Sequence, residues 1–241
     1  LAEVYAFHKD VGQQERANAD SPLDMDRDAT LFVTQKMLLR QELQWVTDFF
    51  GTGIWGTDIT PTVWSDYATS DPISDVRTGI STILGTTGYM PNTLVLGFQV
   101  FLKLIDHPDI VDRIKYGASS PGSPAVANEQ VLAKIFGVDR VMVAKAIKAT
   151  NNEGGTAAYS FAHGKHALLC YSAPNPGILT PSAGYTFMWR GVGGGLGTDA
   201  VIYRIPMPWL GQGTERIEGE VAFANKKVAA DLGYSFNSVV A

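Results

Sequence analysis

The chain has few of the residues that build disulfide frameworks or metal centres. Its 241 residues include one cysteine and four histidines. A single Cys170 excludes an internal disulfide framework and is typical of a reducing compartment, where we expect it to be a small buried strand residue. His163, His166 and Cys170 are spaced like ligands, but zinc takes four ligands, or three and a water, and no fourth donor stands nearby. We predict two histidines on the solvent side of a hairpin, and no metal.

Long apolar runs and excess positive charge are also absent. No stretch approaches the roughly 20 apolar residues that cross a bilayer, and the sequence shows no basic leader followed by an apolar core. The formal net charge is −5, which argues against a surface that follows nucleic-acid phosphates. With 45% hydrophobic and 18% charged residues, the chain is predicted to be a soluble globular protein of one or two domains.

The most informative segment that is present is a long helical pattern over residues 20–50. Ser21 is the predicted N-cap and Pro22 the first helical residue, and no glycine or proline follows until Gly51. At 1.5 Å per residue the helix would extend about 43 Å. Its predicted core stripe consists of Leu31, Leu38, Trp45 and Phe49, widened by Phe32, Leu39, Leu43, Val46 and Phe50. This length predicts a structural spine.

Helix and strand signals then alternate as far as residue 171. Asp71 with Pro72, then Pro108, then Asn128 mark helix starts, and glycines at 88 and 137 mark helix ends. Strands are predicted at residues 93–96, 141–144 and 167–171. The pattern predicts a mixed domain of helices and strands.

The last part of the chain is rich in strand patterns. Residues 185–190 and 201–205 alternate apolar and polar side chains, and a glycine-rich segment at 191–197 lies between them. We predict that they form the two strands of one ribbon, with the glycines at its tip. Further strands are predicted near residues 217–223 and 228–236.

Other patterns that could carry chemistry have simpler structural interpretations. Gly195 begins a relaxed dinucleotide-binding fingerprint, but that motif needs a helix after it and a strand pattern follows. Ser182 lacks the preceding glycine of a nucleophile elbow and is predicted to be a turn residue. The acidic pair Glu218 and Glu220 alternates on a strand face. The acidic group Asp24, Asp26 and Asp28 lies in the first turns of the predicted helix, where carboxylates favour the helix dipole. No catalytic residue and no cofactor site is predicted.

Six phrases occur in one order along nearly the whole chain: residues 20–42, 64–75, 91–97, 107–116, 181–187 and 231–234. Together they resemble the major capsid protein of tailed bacteriophages, which has the Hong Kong 97-type fold. The resemblance implies an α+β (mixed α/β) fold, in which a long spine helix and a β ribbon form a peripheral domain beside an α/β axial domain. The family also carries an N-terminal arm and the outgoing limb of an extended loop ahead of the position of Leu1.

The resemblance also implies a domain layout. Residues 1–19 would be the end of the extended loop, 20–63 the spine helix and a crossing segment, and 64–176 the axial domain. Residues 177–224 would form the peripheral ribbon, and 225–241 a C-terminal strand that returns to the axial domain.

The function that the resemblance implies is structural. The chain would self-assemble into hexamers and pentamers of an icosahedral-type shell that encloses double-stranded DNA without sequence-specific binding. Its partners would be copies of itself, with scaffolding, portal and decoration proteins as further candidates and no membrane. It would reside in the virion capsid after assembly in the bacterial cytoplasm. The candidate interface residues are Tyr5, Phe7, Trp64, Trp189, Gly193, Gly194, Gly195, Tyr203 and Trp209.

Two alternatives stay open at this point. An encapsulin-type bacterial nanocompartment shares the fold and would package an enzyme cargo instead of DNA. A soluble α/β nucleotide-binding enzyme that uses the Gly195 region is the alternative from another class, and monomeric behaviour with nucleotide binding would favour it.

Overall fold

The computed structural model describes residues 2–20, 22–117, 127–191 and 200–241. The chain divides into two compact units. Unit 1 consists of Leu1–Gln44 and Thr186–Lys226, and unit 2 consists of Trp45–Tyr185 and Lys227–Ala241. Within the described ranges, no helix is both long and apolar enough to cross a membrane.

The long predicted helix is present as α2, Met25–Phe49. It begins later than predicted, because Asp24 caps it: the Asp24 carboxylate accepts the backbone N–H groups of Asp26 and Arg27 at 3.0 and 3.1 Å. Pro22 precedes the helix, and Ser21, the predicted cap, lies outside the described residues. A carboxylate that was predicted to favour the dipole is therefore the cap itself.

The buried face of α2 in unit 1 differs from the predicted stripe. Ala29, Val33 and Met37 are buried there, whereas Leu31 and Leu38 are 51% and 60% exposed. The prediction for these two leucines was wrong because the helix is apolar on two sides. Hydrophobic periodicity alone selects the side with the larger residues.

The helix of unit 1 packs on a four-stranded sheet formed by β1 (Glu3–Val11), β8 (Gly184–Met188), β9 (Ala200–Pro206) and β10 (Glu215–Lys227). Strand β10 is the central strand of this sheet, because β1, β8 and β9 all pair with it. β9 pairs with residues 215–221 of β10, and the Trp189 N–H donates to the Ala222 carbonyl at 3.0 Å. Thus β8 and β9 follow one another along the same edge of β10, and the predicted ribbon between them is corrected.

Close packing between α2 and this sheet depends on Gly219 of β10. A Cβ atom at residue 219 would lie 2.7 Å from Val33 Cγ1 and 2.7 Å from Met37 Cε. Val33 and Met37 form a buried cluster with Val221 and Phe223. The absence of a side chain at Gly219 therefore lets the helix approach the sheet backbone.

Residues 12–19, between β1 and α2, contain a short helix, α1 (Gln13–Ala17), which buries no side chain. Ion pairs hold it in place. The Arg16 guanidinium donates to Asp26 and Glu215 at 2.8 Å each, and to the Gly213 carbonyl at 2.9 Å. The Arg16 side chain thereby links α1 to the start of α2 and to β10.

Unit 2 is built on a five-stranded sheet. Its strands are β2 (Thr57–Ile59), β3 (Thr93–Gly97), β4 (Arg140–Ala144), β7 (Ala167–Cys170) and β11 (Gly233–Phe236). The order is β2-β11-β7-β3-β4. The β2–β11 and β3–β4 pairs are parallel, and β7 is antiparallel to both of its neighbours. The C-terminal strand is therefore interior to this sheet.

The helices of unit 2 are α3 (Pro72–Thr87), α4 (Phe98–Ile105), α5 (Pro108–Gly117) and α6 (Glu129–Phe136). The predicted starts of α3, α5 and α6 and the predicted ends of α3 and α6 are confirmed. Asp71 and Asn128 cap α3 and α6 through side-chain bonds of 2.9 Å, and Gly88 and Gly137 end them in the left-handed conformation. A separate two-stranded ribbon, β5 (Ile147–Ala149) with β6 (Tyr159–Phe161), completes the unit.

Candidate functional site

The histidines that were considered as metal ligands are packing residues of unit 2. His163 is buried, and its ring lies 4.9 Å from the Phe50 ring and 5.7 Å from the Trp45 ring. Burial lowers the pKa of His163 to about 4. The predicted solvent-side position of His163 is therefore wrong. The signal that was missed is the aromatic end of α2, which supplies the rings around it.

His166 and Cys170 have equally structural surroundings. The His166 Nδ1 atom accepts the backbone N–H of Ser238 at 3.2 Å, and burial lowers the pKa of this imidazole. Cys170 is a free, partly buried thiol at the end of β7, and burial raises its pKa to about 12. Over the part of the chain that the structure describes, no group of three or more His, Cys, Asp or Glu side chains could hold a metal ion.

The remaining chemical patterns do not converge on one site. Ser182 is buried in the turn before β8, where its hydroxyl donates to the Gly184 carbonyl and accepts the Ala173 N–H. Asp24 caps α2 and Asp26 binds Arg16. Each of these polar groups is used locally, as hydrogen-bonded polar groups of a fold are.

The dinucleotide fingerprint falls mostly on residues 195–199, which lie outside the described residues. The segment that follows is β9, a strand that pairs with β10. A pyrophosphate site of this type needs a helix N-terminus at that point. The strand argues against nucleotide binding by this motif.

Among the predicted interface residues, Trp64 needs correction. Its side chain is 0% exposed, it packs 5.5 Å from the Phe236 ring, and its Nε1 atom donates to Asp75 at 2.8 Å. A side chain with no exposed surface offers nothing to a partner. Trp64 belongs to the core of unit 2.

The other candidates differ in exposure. Trp189 and Trp209 are 53% and 71% exposed, whereas Tyr5, Phe7 and Tyr203 are half-buried. Tyr5 and Phe7 contact the α2–sheet cluster from β1. The three glycines Gly193, Gly194 and Gly195 lie outside the described residues. The interface roles of all these residues stay predictions.

Trp209 is presented by a tightly turned segment of unit 1. Pro208–Leu210 forms one 3-10 turn, which the Leu210 N–H closes on the Met207 carbonyl at 3.0 Å. Gly213 has a φ of 73°, which glycine adopts without strain, and the Met207 N–H donates to the Thr214 carbonyl at 2.9 Å. The indole is thus held out from a closed turn, an arrangement suited to burial against another surface.

Several large apolar residues are exposed: three of the predicted core stripe of α2, which contradicts that prediction, and two on a loop that the sequence interpretation did not single out. Leu31, Phe32 and Leu38 cover the outer side of α2, and Ile178 and Leu179 are fully exposed on the loop before β8. The signal for the loop was available, since its apolar pair lies between Pro176 and Pro181 in an otherwise turn-rich stretch. Contiguous exposed apolar surface marks interaction sites in soluble proteins.

Comparisons with known proteins identify one curated relative and several solved structures of the same fold. No protein-family model matches the chain. The major capsid protein of Burkholderia phage BcepMu is 29% identical over 129 residues, which is 52% of this chain and 39% of that protein. The aligned region thus spans about two-fifths of the length of this curated relative.

Solved structures match almost the full chain. A phage-related protein from Bordetella bronchiseptica RB50 has a TM-score of 0.79 at 18% identity, covering 99% of this chain and 76% of that one. The capsid of Cyanophage P-SCSP1u has a TM-score of 0.62 at 9% identity, covering 98% and 72%. The SrpI encapsulin of Synechococcus elongatus PCC 7942 has a TM-score of 0.58 at 12% identity, covering 100% and 75%.

These matches define the fold class of the chain. It has the mixed α and β fold of phage capsid proteins, the Hong Kong 97-type fold, and the predicted fold class is confirmed. Encapsulin shells share this fold. A fold that is shared by shell-forming proteins of both kinds leaves the contents of the shell to be argued separately.

Proposed function

We propose that this chain is a shell-forming subunit of a tailed-phage head, which self-assembles into hexamers and pentamers around packaged double-stranded DNA. The observation that carries the proposal is the agreement of fold over nearly the whole chain with phage capsid structures. Sequence identity to a phage major capsid protein over half of the chain supports it.

The surface of the subunit supports self-association. Large apolar side chains are exposed at many places in both units, among them Phe32, Leu38, Trp189, Trp209, Ile178 and Leu179. Burying one such side chain contributes about 1.5–3 kcal/mol. Closed symmetric assembly is the usual way in which identical chains bury such surface without forming open aggregates.

The charge of the chain supports enclosure of DNA without sequence-specific binding. A formal net charge of −5 does not attract phosphates as a basic surface would. Packaged DNA can then move within the shell. In this proposal the subunit has no catalytic role and needs no cofactor.

We extend the proposal to the predicted domain layout and partners. Residues 1–19, 20–63 and 177–224 would belong to the peripheral part, 64–176 to the axial domain, and 225–241 would return to it. These bounds differ from those of the two compact units, in which residues 45–63 and 177–185 belong to unit 2. Scaffolding, portal and decoration proteins are the further partners. The subunit would assemble in the bacterial cytoplasm and reside in the virion capsid.

An encapsulin-type nanocompartment is the second candidate, because an encapsulin shell matches over the full chain. The phage assignment is favoured by the higher TM-score of the phage-related structure and by the curated phage relative. The two differ in contents: protein cargo in one and nucleic acid in the other.

Electron microscopy and light scattering of the purified chain test the proposal. We expect ring-shaped capsomers or closed particles much larger than the 26.0 kDa chain. Nuclease-protected DNA in particles from infected or lysogenic cells would support the phage assignment, and a protein cargo would favour the nanocompartment. A monomer at micromolar concentration in physiological salt that binds nucleotide would refute the shell proposal.

A further inference from the structure

The side of α2 that faces away from the sheet, called here the outer face, exposes large apolar side chains to solvent. Three of its large apolar residues, Leu31, Phe32 and Leu38, are 46–60% exposed. The opposite side, which packs on the sheet, buries Ala29, Val33 and Met37. An amphipathic helix of an isolated soluble protein usually turns its larger apolar residues inward. Here large apolar residues also stand exposed on the side away from the sheet, which indicates that this surface is covered in the working form of the protein.

The charges on this face have a reciprocal spacing. Asp28 lies four residues before Phe32 and Lys36 lies four residues after it, so each is about one turn from Phe32. The Lys36 ammonium lies 5.3 Å from the centre of the Phe32 ring. In the described ranges, neither the Asp28 carboxylate nor the Lys36 ammonium has an ion-pair partner.

We propose that the outer face of α2 binds the α2 helix of a second copy of the chain, antiparallel and across a local twofold axis at Phe32. This inference rests on the proposed shell function, for which it names one subunit contact. In this register, Asp28 of each copy faces Lys36 of the other, so two ion pairs flank the two Phe32 rings. A parallel pairing in the same register would place Asp28 against Asp28 and Lys36 against Lys36.

The size of the contact explains why it works only within an assembly. The exposed part of α2 is about four turns long, roughly 20 Å. Two helices that meet over this length bury less than the roughly 1,200 Å² typical of a stable complex. The contact is therefore weak in an isolated pair and becomes effective when many copies are held together by other interfaces.

Charge reversal tests the register. Lys36→Glu and Asp28→Lys each place like charges opposite one another twice, and we expect the concentration needed for assembly to rise roughly tenfold. The double variant recreates two opposite-charge pairs and is expected to restore assembly. The matched control is the exposed Asp112 and Lys115 pair on α5, 3.7 Å apart, whose reversal should leave assembly unchanged. Circular dichroism confirms that each variant is folded.

Cross-linking tests the twofold axis directly. Phe32→Cys places two thiols at the axis, so oxidation of particles should give covalent dimers. Leu102→Cys on α4, which has a similar exposure, should not. The wild-type chain is the background control, because its only thiol, Cys170, is partly buried.

The outcomes separate this inference from the proposed function. Weak assembly of both single variants, rescue by the double variant and dimers of Phe32→Cys support the inference. Wild-type assembly of every variant overturns it, as does loss without rescue, which would assign the face to a different partner. If the wild-type chain forms no particles, the proposed function fails. Dimers of Phe32→Cys in the concentrated unassembled chain would then still support the inference, and their absence would overturn it.

Discussion

At the scale of single residues, the two tryptophans Trp64 and Trp209 show how burial decides a role that sequence leaves open. Both stand in turn-rich stretches, yet Trp64 is fully buried and hydrogen-bonded to Asp75, whereas Trp209 is largely exposed. Burial raises the pKa of Asp75, and the Trp64 hydrogen bond opposes that effect. The hydrogen bond from the Trp64 indole therefore stabilises the charged form of the partly buried Asp75 carboxylate.

Removal of the Trp64 ring should destabilise unit 2 strongly. We expect Trp64→Ala to lower the free energy of unfolding by about 3–5 kcal/mol, because a large packed ring leaves a cavity. Trp64→Phe should cost about 1–3 kcal/mol, since Asp75 loses its donor. Trp209→Ala, measured by the same urea titration, should lie within about 0.5 kcal/mol of wild type. Equal effects of the two alanine variants would contradict the assignment of Trp64 to the core.

The burial of His163 predicts a dependence of stability on acid. Its pKa is lowered to about 4 from the ordinary value of 6.5, so the unfolded chain takes up the proton first as the pH falls. The stability contributed by neutral His163 is complete above about pH 6.5 and is lost between about pH 6.5 and 4, in total about 3 kcal/mol. Urea titrations across this range should show a flatter pH dependence for His163→Phe. An unchanged slope in His163→Phe would refute the prediction.

At the scale of secondary-structure elements, the sequence predicted features that depend on neighbouring residues and failed for features that depend on distant ones. Asp71 and Gly88 bound α3 as predicted, because a cap and a left-handed glycine act within one helical turn. The pairing of β8 and β9 was mispredicted, because both strands pair with β10, which lies later in the chain. Strand pairing depends on distant residues that no local pattern specifies.

The same limit applies to α2 and to the candidate interface residues. Leu31 and Val33 are both hydrophobic, so the sequence alone does not tell which of them is buried. The side of the helix with Val33 packs inward because Gly219 of β10 has no side chain and leaves room for it. Interface residues are harder still, because their partners lie on other chains. The sequence could mark Trp209 as a candidate, but Trp64 carried the same signal.

Substitution of Gly219 tests the close contact between α2 and the sheet. Gly219→Ala should lower the free energy of unfolding by about 1–3 kcal/mol, because its Cβ would overlap the stiff side chain of Val33. The control is Gly85→Ala in α3, where a Cβ meets no atom within 4 Å, and this exposed helical change should raise stability by up to about 1 kcal/mol. Thermal or urea unfolding distinguishes the two. A neutral Gly219→Ala would show that α2 can withdraw from the sheet without loss.

At the scale of the whole molecule, both units leave large apolar side chains exposed to solvent, although each unit is folded around a buried core. Each has its own buried core, yet both expose apolar side chains that a monomer would gain by burying. A shell subunit needs both properties. Its cores keep one conformation through assembly, and its exposed side chains supply many individually weak contacts that add up in a closed particle.

Trp209 gives this view its sharpest test. Its closed turn holds the indole away from the subunit, so Trp209→Ala should keep the wild-type melting temperature while lowering the yield of particles. An exposed tryptophan that becomes buried at a contact typically contributes about 2 kcal/mol or more, which is at least tenfold in a single binding constant. Particle yield by light scattering, with melting followed by circular dichroism, measures both properties in one preparation. Tyr159→Ala, on the exposed β5–β6 ribbon, serves as a comparison that removes a similarly exposed aromatic ring from another place. Particles of Trp209→Ala at wild-type yield would show that this turn lies on a free surface of the shell, while a lowered melting temperature would show that the indole supports the subunit itself.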